Sequence, residues 1–172
     1  LNNLNDGMAW GIFPILLASE GFNFEQVGII VAVYPAFWGL GQLFTGWMSD
    51  FFPLKSLLFI GMFLQAVALL FFIWANSMTH YVLLAAVLGW GTAMVYPTFL
   101  ASVAENTHPI DRAKSIGVFR LWRDLGYAVG AILTGIIADS FGMLTSILFI
   151  SVLTFMSAAV IWFRMPTIPT SP

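Results

Sequence analysis

Six runs of about twenty apolar residues, parted by breaks of a few polar ones, leave this chain few folds to choose from. The runs lie near 1–19, 27–49, 54–75, 81–104, 115–138 and 143–163. A hydrocarbon core about 30 Å thick is crossed by roughly 20 residues of α-helix. The breaks read "SEGFNFEQ", "SDFFPLK", "NSMTH", "ENTHPIDRAK" and "DSFG", and their Gly, Pro, Asn and Asp residues stop helices. Charged residues make up 8% of the chain and apolar ones 60%, against about 25% charged in soluble proteins. Water cannot solvate such a surface, so lipid must cover much of it. The expected fold is an all-α membrane protein with a six-helix bundle over 1–164 and a Pro-rich tail over 165–172.

The absence of cysteine excludes disulfides and thiolate metal sites. His80 and His108 fall at opposite ends of their spans, so no shared metal is expected, and no cofactor motif is present. No basic segment precedes the first span, which therefore does not read as a signal peptide. The chain starts with Leu1, and we expect it to be a piece of something longer.

Loop cations set the orientation. Lys55, Arg112, Lys114 and Arg164 fall on one side if the spans alternate, and the other side holds only Glu20, Glu25 and Asp139. Basic loops stay cytoplasmic, so both ends of the segment are expected there, in a plasma or bacterial inner membrane.

Polar residues are spread unevenly over the spans. Arg120, Arg123, Asp124, Tyr127 and Thr134 share one face of the fifth at 100° per residue. The second carries Tyr34, Trp38, Gln42, Thr45 and Ser49; the first carries Asn2, Asn5 and Asp6; the fourth carries Thr92 and Tyr96. From Leu57 to Ala75 the third has only Gln65 as a strongly polar side chain, and the sixth has only hydroxyls, which can bond back to their own helix. The expectation is four spans around an aqueous cavity and two lipid-facing supports, because ionisable groups at membrane depth face a cavity or one another. Asn5, Asp6, Tyr34, Trp38, Gln42, Thr92, Tyr96 and Tyr127 are the candidate cavity residues. Trp10 and Trp90 are further aromatic candidates, with helix packing as the alternative. Gly7, Gly11 and Pro14 in the first span, and Gly89, Gly91 and Pro97 in the fourth, suit elements that bend.

A short repeat links the two halves. "TGWMSDFF" (45–52) ends the second span and "TGIIADSF" (134–141) ends the fifth, sharing T-G-x-x-x-D-x-F. Their opposite sidedness is the mark of inverted three-helix repeats.

The sequence resembles the major facilitator superfamily. "GQLFTGWMSDFFPLKS" is similar to that family's cytoplasmic loop motif G-x-x-x-D-R-x-G-R: Gly46 and Asp50 match, Phe51 and Pro53 depart, and Lys55 keeps a cation one place late. The segment Pro97–Gly142 resembles the family's helix pair joined by an acid, a short loop and an Arg. The resemblance implies half of a twelve-helix fold, helices seven to twelve, as two inverted three-helix repeats. It also implies a secondary active transporter that moves a small-molecule substrate by alternating access, proton-coupled by default, with a missing N-terminal six-helix half as partner in the lipid bilayer.

Charged residues divide into candidate roles. Asp50, Glu105, Arg112, Arg120, Arg123 and Asp124 form a candidate gating network. For Arg120, Arg123 and Asp124 three readings stand: an i,i+4 Arg120–Asp124 pair that only stabilises, a latch to the missing half, or a positive site for an anionic solute. Glu105 and Arg112 are expected to pair across their loop, or with Lys55, and Asp50 to cap a neighbouring helix. Asp6, about 20 Å from the outer end of its span by helical rise, reads either as a proton carrier or as an acid near the cytoplasmic boundary, solvated or bonded to Asn2 and Asn5. Two other classes are weighed. An intramembrane enzyme would need a nucleophile and base at one depth, and no G-x-S-x-G or H-E-x-x-H occurs. A non-transporting scaffold or binding subunit is the other. Nucleic-acid binding is not expected, since there is no basic patch.

Overall fold

The protein is described by a computed structural model covering residues 2–49 and 51–166. Asp50 and the Asn2 side chain, both named above, lie outside the described residues, as does the tail beyond Pro166. The chain is all helical: α1 (Asn2–Gly11), α2 (Phe13–Ser19), α3 (Phe24–Met48), α4 (Leu54–Phe71), α5 (Met78–Glu105), α6 (Arg112–Phe141) and α7 (Met143–Arg164). Five of these, α3 to α7, are long and apolar enough to cross a bilayer. The first expected span is two shorter helices, so the six-span count is not met by single helices. They break at Ile12, two residues before Pro14, whose ring removes a helix donor. The break is slight, since Ile12 N still bonds Met8 O at 2.9 Å and Leu16 N bonds Ile12 O at 2.9 Å.

Caps lengthen the other helices beyond their apolar runs. Asn23 accepts from Gln26 N at 2.9 Å while Gln26 Oε1 accepts from Asn23 N at 3.0 Å, a reciprocal cap that starts α3 early. Ser77 Oγ accepts from His80 N at 3.4 Å and opens α5. Gly142, at φ +91°, parts α6 from α7, a backbone conformation that suits glycine.

Packing shows which helix ends lie together. Phe13 of α2 meets Phe72, just past α4, at 4.8 Å, and Phe22 meets Tyr81 of α5 at 5.5 Å. Lys55 at the start of α4 lies 5.3 Å over the Trp162 ring near the end of α7. Thus α2 and α4 end where α5 begins, and α4 begins where α7 ends. The main helix pairs are α1 with α6, α3 with α5, α5 with α4, and α4 with α7.

Small residues hold these pairs together, as is usual where lipid gives no hydrophobic drive to pack. A Cβ on Gly7 would strike the α6 backbone at Tyr127 O and Ala131 N, and one on Gly89 would strike the α3 backbone at Tyr34 O and Trp38 N. Hydroxyls add bonds between helices: Thr45 Oγ1 to Ala93 O at 2.8 Å, Ser151 Oγ to Ala66 O at 2.8 Å, and Ser146 Oγ to Thr134 O at 2.9 Å.

One expectation is refined here. The third span, α4, keeps Ile60, Phe63 and Phe71 exposed on one side, as a support would, but it is buried on the other. It sits between α5 and α7 with Leu57, Leu58, Gly61, Met62, Gln65, Ala66, Ala68 and Leu69 all buried. Its one strong polar residue is therefore inside.

Candidate functional site

Asp6 centres the site. Its carboxylate, 1% exposed, accepts from the Tyr34 hydroxyl of α3 and from Asn3 Nδ2 at 3.3 Å. The Tyr34 hydroxyl also lies 3.3 Å from Thr92 Oγ1, which donates to Leu88 O at 3.0 Å. Tyr127 of α6 faces both Asn3 and Asp6, and Arg123 faces Asp6 from further off. Thr92 falls at the middle of the 28-residue α5, so Asp6 lies at the mid-depth of the bundle. Of the two readings of Asp6, the boundary acid bonded to Asn2 and Asn5 loses its Asn5 contact. Asn5 points elsewhere, to Gln65 of α4, with its Nδ2 donating to Gln65 Oε1. Both of those side chains are buried, and Asn5 Oδ1 and Gln65 Nε2 have no partner among the described residues.

Aromatic rings carry the site outward. Tyr34 stacks on Trp38 at 6.2 Å, Trp38 meets Tyr96 edge-on at 6.3 Å, and Trp10 meets Tyr34 edge-on at 6.3 Å. The Trp38 Nε1 donor is buried and unpaired. Tyr96, half-buried, accepts from Arg123 Nη1 at 2.8 Å, and the guanidinium lies 5.1 Å from the same ring. Trp90 packs on Phe44 at 5.9 Å, and Gln42 donates to Trp38 O of its own helix at 3.4 Å.

The charged row differs from expectation in its pairing. Arg123, not Arg120, holds Asp124: Nε and Nη2 both lie 2.8 Å from Asp124 Oδ1. Adjacent residues meet here because the long arginine folds back along its own helix after reaching Tyr96. Arg120 is exposed and, among the described residues, makes no ion pair. Glu105 and Arg112 are likewise exposed, and neither pairs with the other nor with Lys55; Lys55 lies over Trp162 instead. His80 and His108 are both exposed.

The structure thus brings Asn5, Asp6, Tyr34, Trp38, Thr92, Tyr96, Arg123 and Tyr127, from four helices, into one polar cluster that reaches a fifth, α4, through Gln65. Asp6, Tyr34 and Thr92 bond to one another in its interior. Tyr96, Arg123, Asp124 and Tyr127 form its more open side. Two members were not singled out from sequence. Asn3 supports Asp6, and Gln65 meets Asn5. The signal for Gln65 was present, since it is a lone amide in an apolar run, and such groups in membrane helices are seldom left facing lipid.

The polar cluster and the small-residue crossings agree with a comparison of the whole sequence. The model for "Major Facilitator Superfamily" matches residues 1–172. The chain belongs to the Major Facilitator Superfamily. With five helices of crossing length, it is an integral membrane protein. It is 27% identical over 127 residues to an uncharacterized transporter of Buchnera aphidicola, covering 74% of this chain and 31% of that protein. It is 23% identical over 155 residues to the inner membrane transport protein YnfM of Escherichia coli, covering 90% of this chain and 37% of that one. It is 25% identical over 142 residues to the fosmidomycin resistance protein of Escherichia coli, covering 83% and 35%. The chain spans about a third of the length of the curated relatives it matches.

Proposed function

We propose that this chain is one six-helix half of a secondary active transporter that carries a small molecule by alternating access, coupled to protons through Asp6. The carrying observation is Asp6 itself. Among the described residues it is the one fully buried acid, and its bonded partners are a hydroxyl and an amide rather than a cation. Tyr34, which both donates and accepts, can donate to the charged acid or accept from the protonated one, and in the second case its own proton is free for Thr92.

Two inverted three-helix units account for the packing. Gly7 of α1 is pressed on α6 much as Gly89 of α5 is pressed on α3. An axis that exchanges the first span with the fourth, and the second with the fifth, would map one contact onto the other. Thr45 and Thr134, the first residues of the repeated motif, are both fully buried. In this arrangement both ends of the segment are cytoplasmic, α1 counts with α2 as one span, and a second six-helix half faces α3 and α6 across the solute path.

For the charged row we infer gating rather than solute binding. Asp124 already neutralises Arg123, and Tyr96 takes another of its donors, so no bare positive site remains at Arg123. A relative's name points to fosmidomycin and another's to hexose phosphate, which makes both sensible probes.

The test uses the full-length transporter in proteoliposomes holding a trapped pH indicator. Hexose phosphate, fosmidomycin and amphipathic organic cations are screened for solute-evoked proton movement. Asp6→Asn is expected to abolish accumulation against a gradient while sparing solute exchange. Full accumulation by that variant would refute the assignment of Asp6.

A further inference from the structure

Three consecutive residues of α1 face three different helices. Asn5 meets Gln65 on α4, Asp6 meets Tyr34 on α3, and Gly7 lies on the α6 backbone. Steps of 100° make this inevitable for a helix enclosed on all sides. The rotation of α1 about its axis therefore decides whether Asp6 reaches Tyr34 at all. Gly7 and Gly130 let the α1 and α6 backbones close on one another, which sets the face of α1 that meets α6 but makes no directional bond on the side that carries Asn5 and Asp6. The Asn5–Gln65 bond is directional and sits one residue from the acid.

Gln65 is itself held firmly. It is 0% exposed. A Cβ on Gly91 of α5 would come within 2.8 Å of Gln65 Cγ, so the missing side chain there makes the room the Gln65 stem fills. The next residue, Ala66, takes the Ser151 Oγ bond on its carbonyl at 2.8 Å. This stretch of α4 is thus pinned to α5 and α7 before it touches α1.

The amide pair is also a poor choice if stability alone mattered. Among the described residues each amide keeps one group unpaired, Asn5 Oδ1 and Gln65 Nε2. A buried unpaired polar group costs about 1–3 kcal/mol, whereas replacing both partners by apolar groups of like shape can be neutral. Buried polar pairs retained at such a cost are best attested where they specify register.

We propose that Gln65 is a positioning residue: through Asn5 it sets the rotation of α1 that presents Asp6 to Tyr34. The inference deepens the proton-coupling reading above and rests on it for its consequence in transport, though not for its geometry.

The experiment uses the full-length transporter and two readouts. Infrared difference spectra across a pH titration report the Asp6 carboxyl band, assigned by its loss in Asp6→Asn. Transport in proteoliposomes reports accumulation and exchange separately. Gln65→Met keeps the volume and loses the acceptor. It is expected to move the Asp6 band and its titration midpoint, and to lower accumulation by a factor on the order of tenfold to a hundredfold, with exchange retained. The exchanged pair Asn5→Gln with Gln65→Asn keeps the summed length of the two amides and should restore the band and the accumulation. Asn5→Leu combined with Gln65→Met should be no worse than either alone, the mark of a single shared contact. An Asp6 band unchanged in Gln65→Met overturns the proposal, as does an exchanged pair as defective as Gln65→Met. A band that responds to Gln65 while Asp6→Asn still accumulates solute would keep Gln65 as the positioner and remove Asp6 as the proton carrier, so the two failures are distinct.

Discussion

Helices α4 and α6 contrast in what covers them: this chain itself buries much of α4, whereas α6 keeps the open face assigned above to a second six-helix half. The α4 segment, Leu54–Trp74, is the more apolar of the two and is half buried; the α6 segment, Pro109–Phe141, is the less apolar and is mostly uncovered by this chain. In water the more apolar helix would be inside by hydrophobic drive. In lipid that drive between helices vanishes, and contact geometry decides instead. Helix α4 is inside because Gly61 and Gly91 let it close on α5, and because Gln65 has a partner there. Helix α6 presents Leu121, Trp122, Leu125 and Val129 outward, with Arg123 and Asp124 between.

The comparison can be broken most readily at the helix crossings. A Cβ on Gly130 of α6 would come within 2.6 Å of Leu4 O, whereas one on Gly135 of the same helix meets nothing within 4 Å. Gly130→Leu should cost about 3 kcal/mol or more by overpacking, and Gly135→Leu should leave the melting temperature in detergent near that of the parent. Equal losses would mean that the α1–α6 contact is not the close one.

Next comes the buried cluster. Tyr34→Phe removes the donor to Asp6 and leaves a buried acid short of a partner, which should cost about 1–3 kcal/mol. Chemical denaturation of the purified transporter reads this directly. A variant as stable as the parent would show that the Asp6 contact contributes nothing to holding α1 on α3.

The open side should be more tolerant in stability and less so in turnover. Arg123→Gln loses an ion pair whose acid is 60% exposed, so its cost to folding should be about 1 kcal/mol or less. Turnover should fall while apparent affinity holds, as a latch requires; a raised KM with normal turnover would return Arg123 to the solute site. Smallest of all, Arg120→Gln should change stability by no more than about 0.5 kcal/mol, since Arg120 is exposed and makes no ion pair among the described residues.

Much of the architecture could be read without coordinates, because apolar length is a property of each segment alone. The long helices appear within a few residues of the expected spans, and the differences come from local caps: Asn23 with Gln26 at α3, and Ser77 at α5. The kink near Pro14 was legible as a weakness but not as a break at Ile12. For the site, the stripes named Asp6, Tyr34, Thr92, Tyr96 and Arg123 correctly as polar residues on helices that pack together. They did not name partners. Asn5 and Asp6 are neighbours in sequence yet serve different helices, and Arg123, which also bonds Tyr96, holds Asp124 where Arg120 was expected to.

By itself, the sequence determined that the chain is a bundle of bilayer-length helices with a few polar faces, since helix length and the cost of unsolvated backbone are set residue by residue. Only the tertiary structure decided which polar group meets which, and that the most apolar helix buries one whole side, Gln65 included, among its neighbours. Those outcomes depend on how closely two backbones approach and on the rotation of each helix about its axis, and both are fixed by glycines and amides on neighbouring helices.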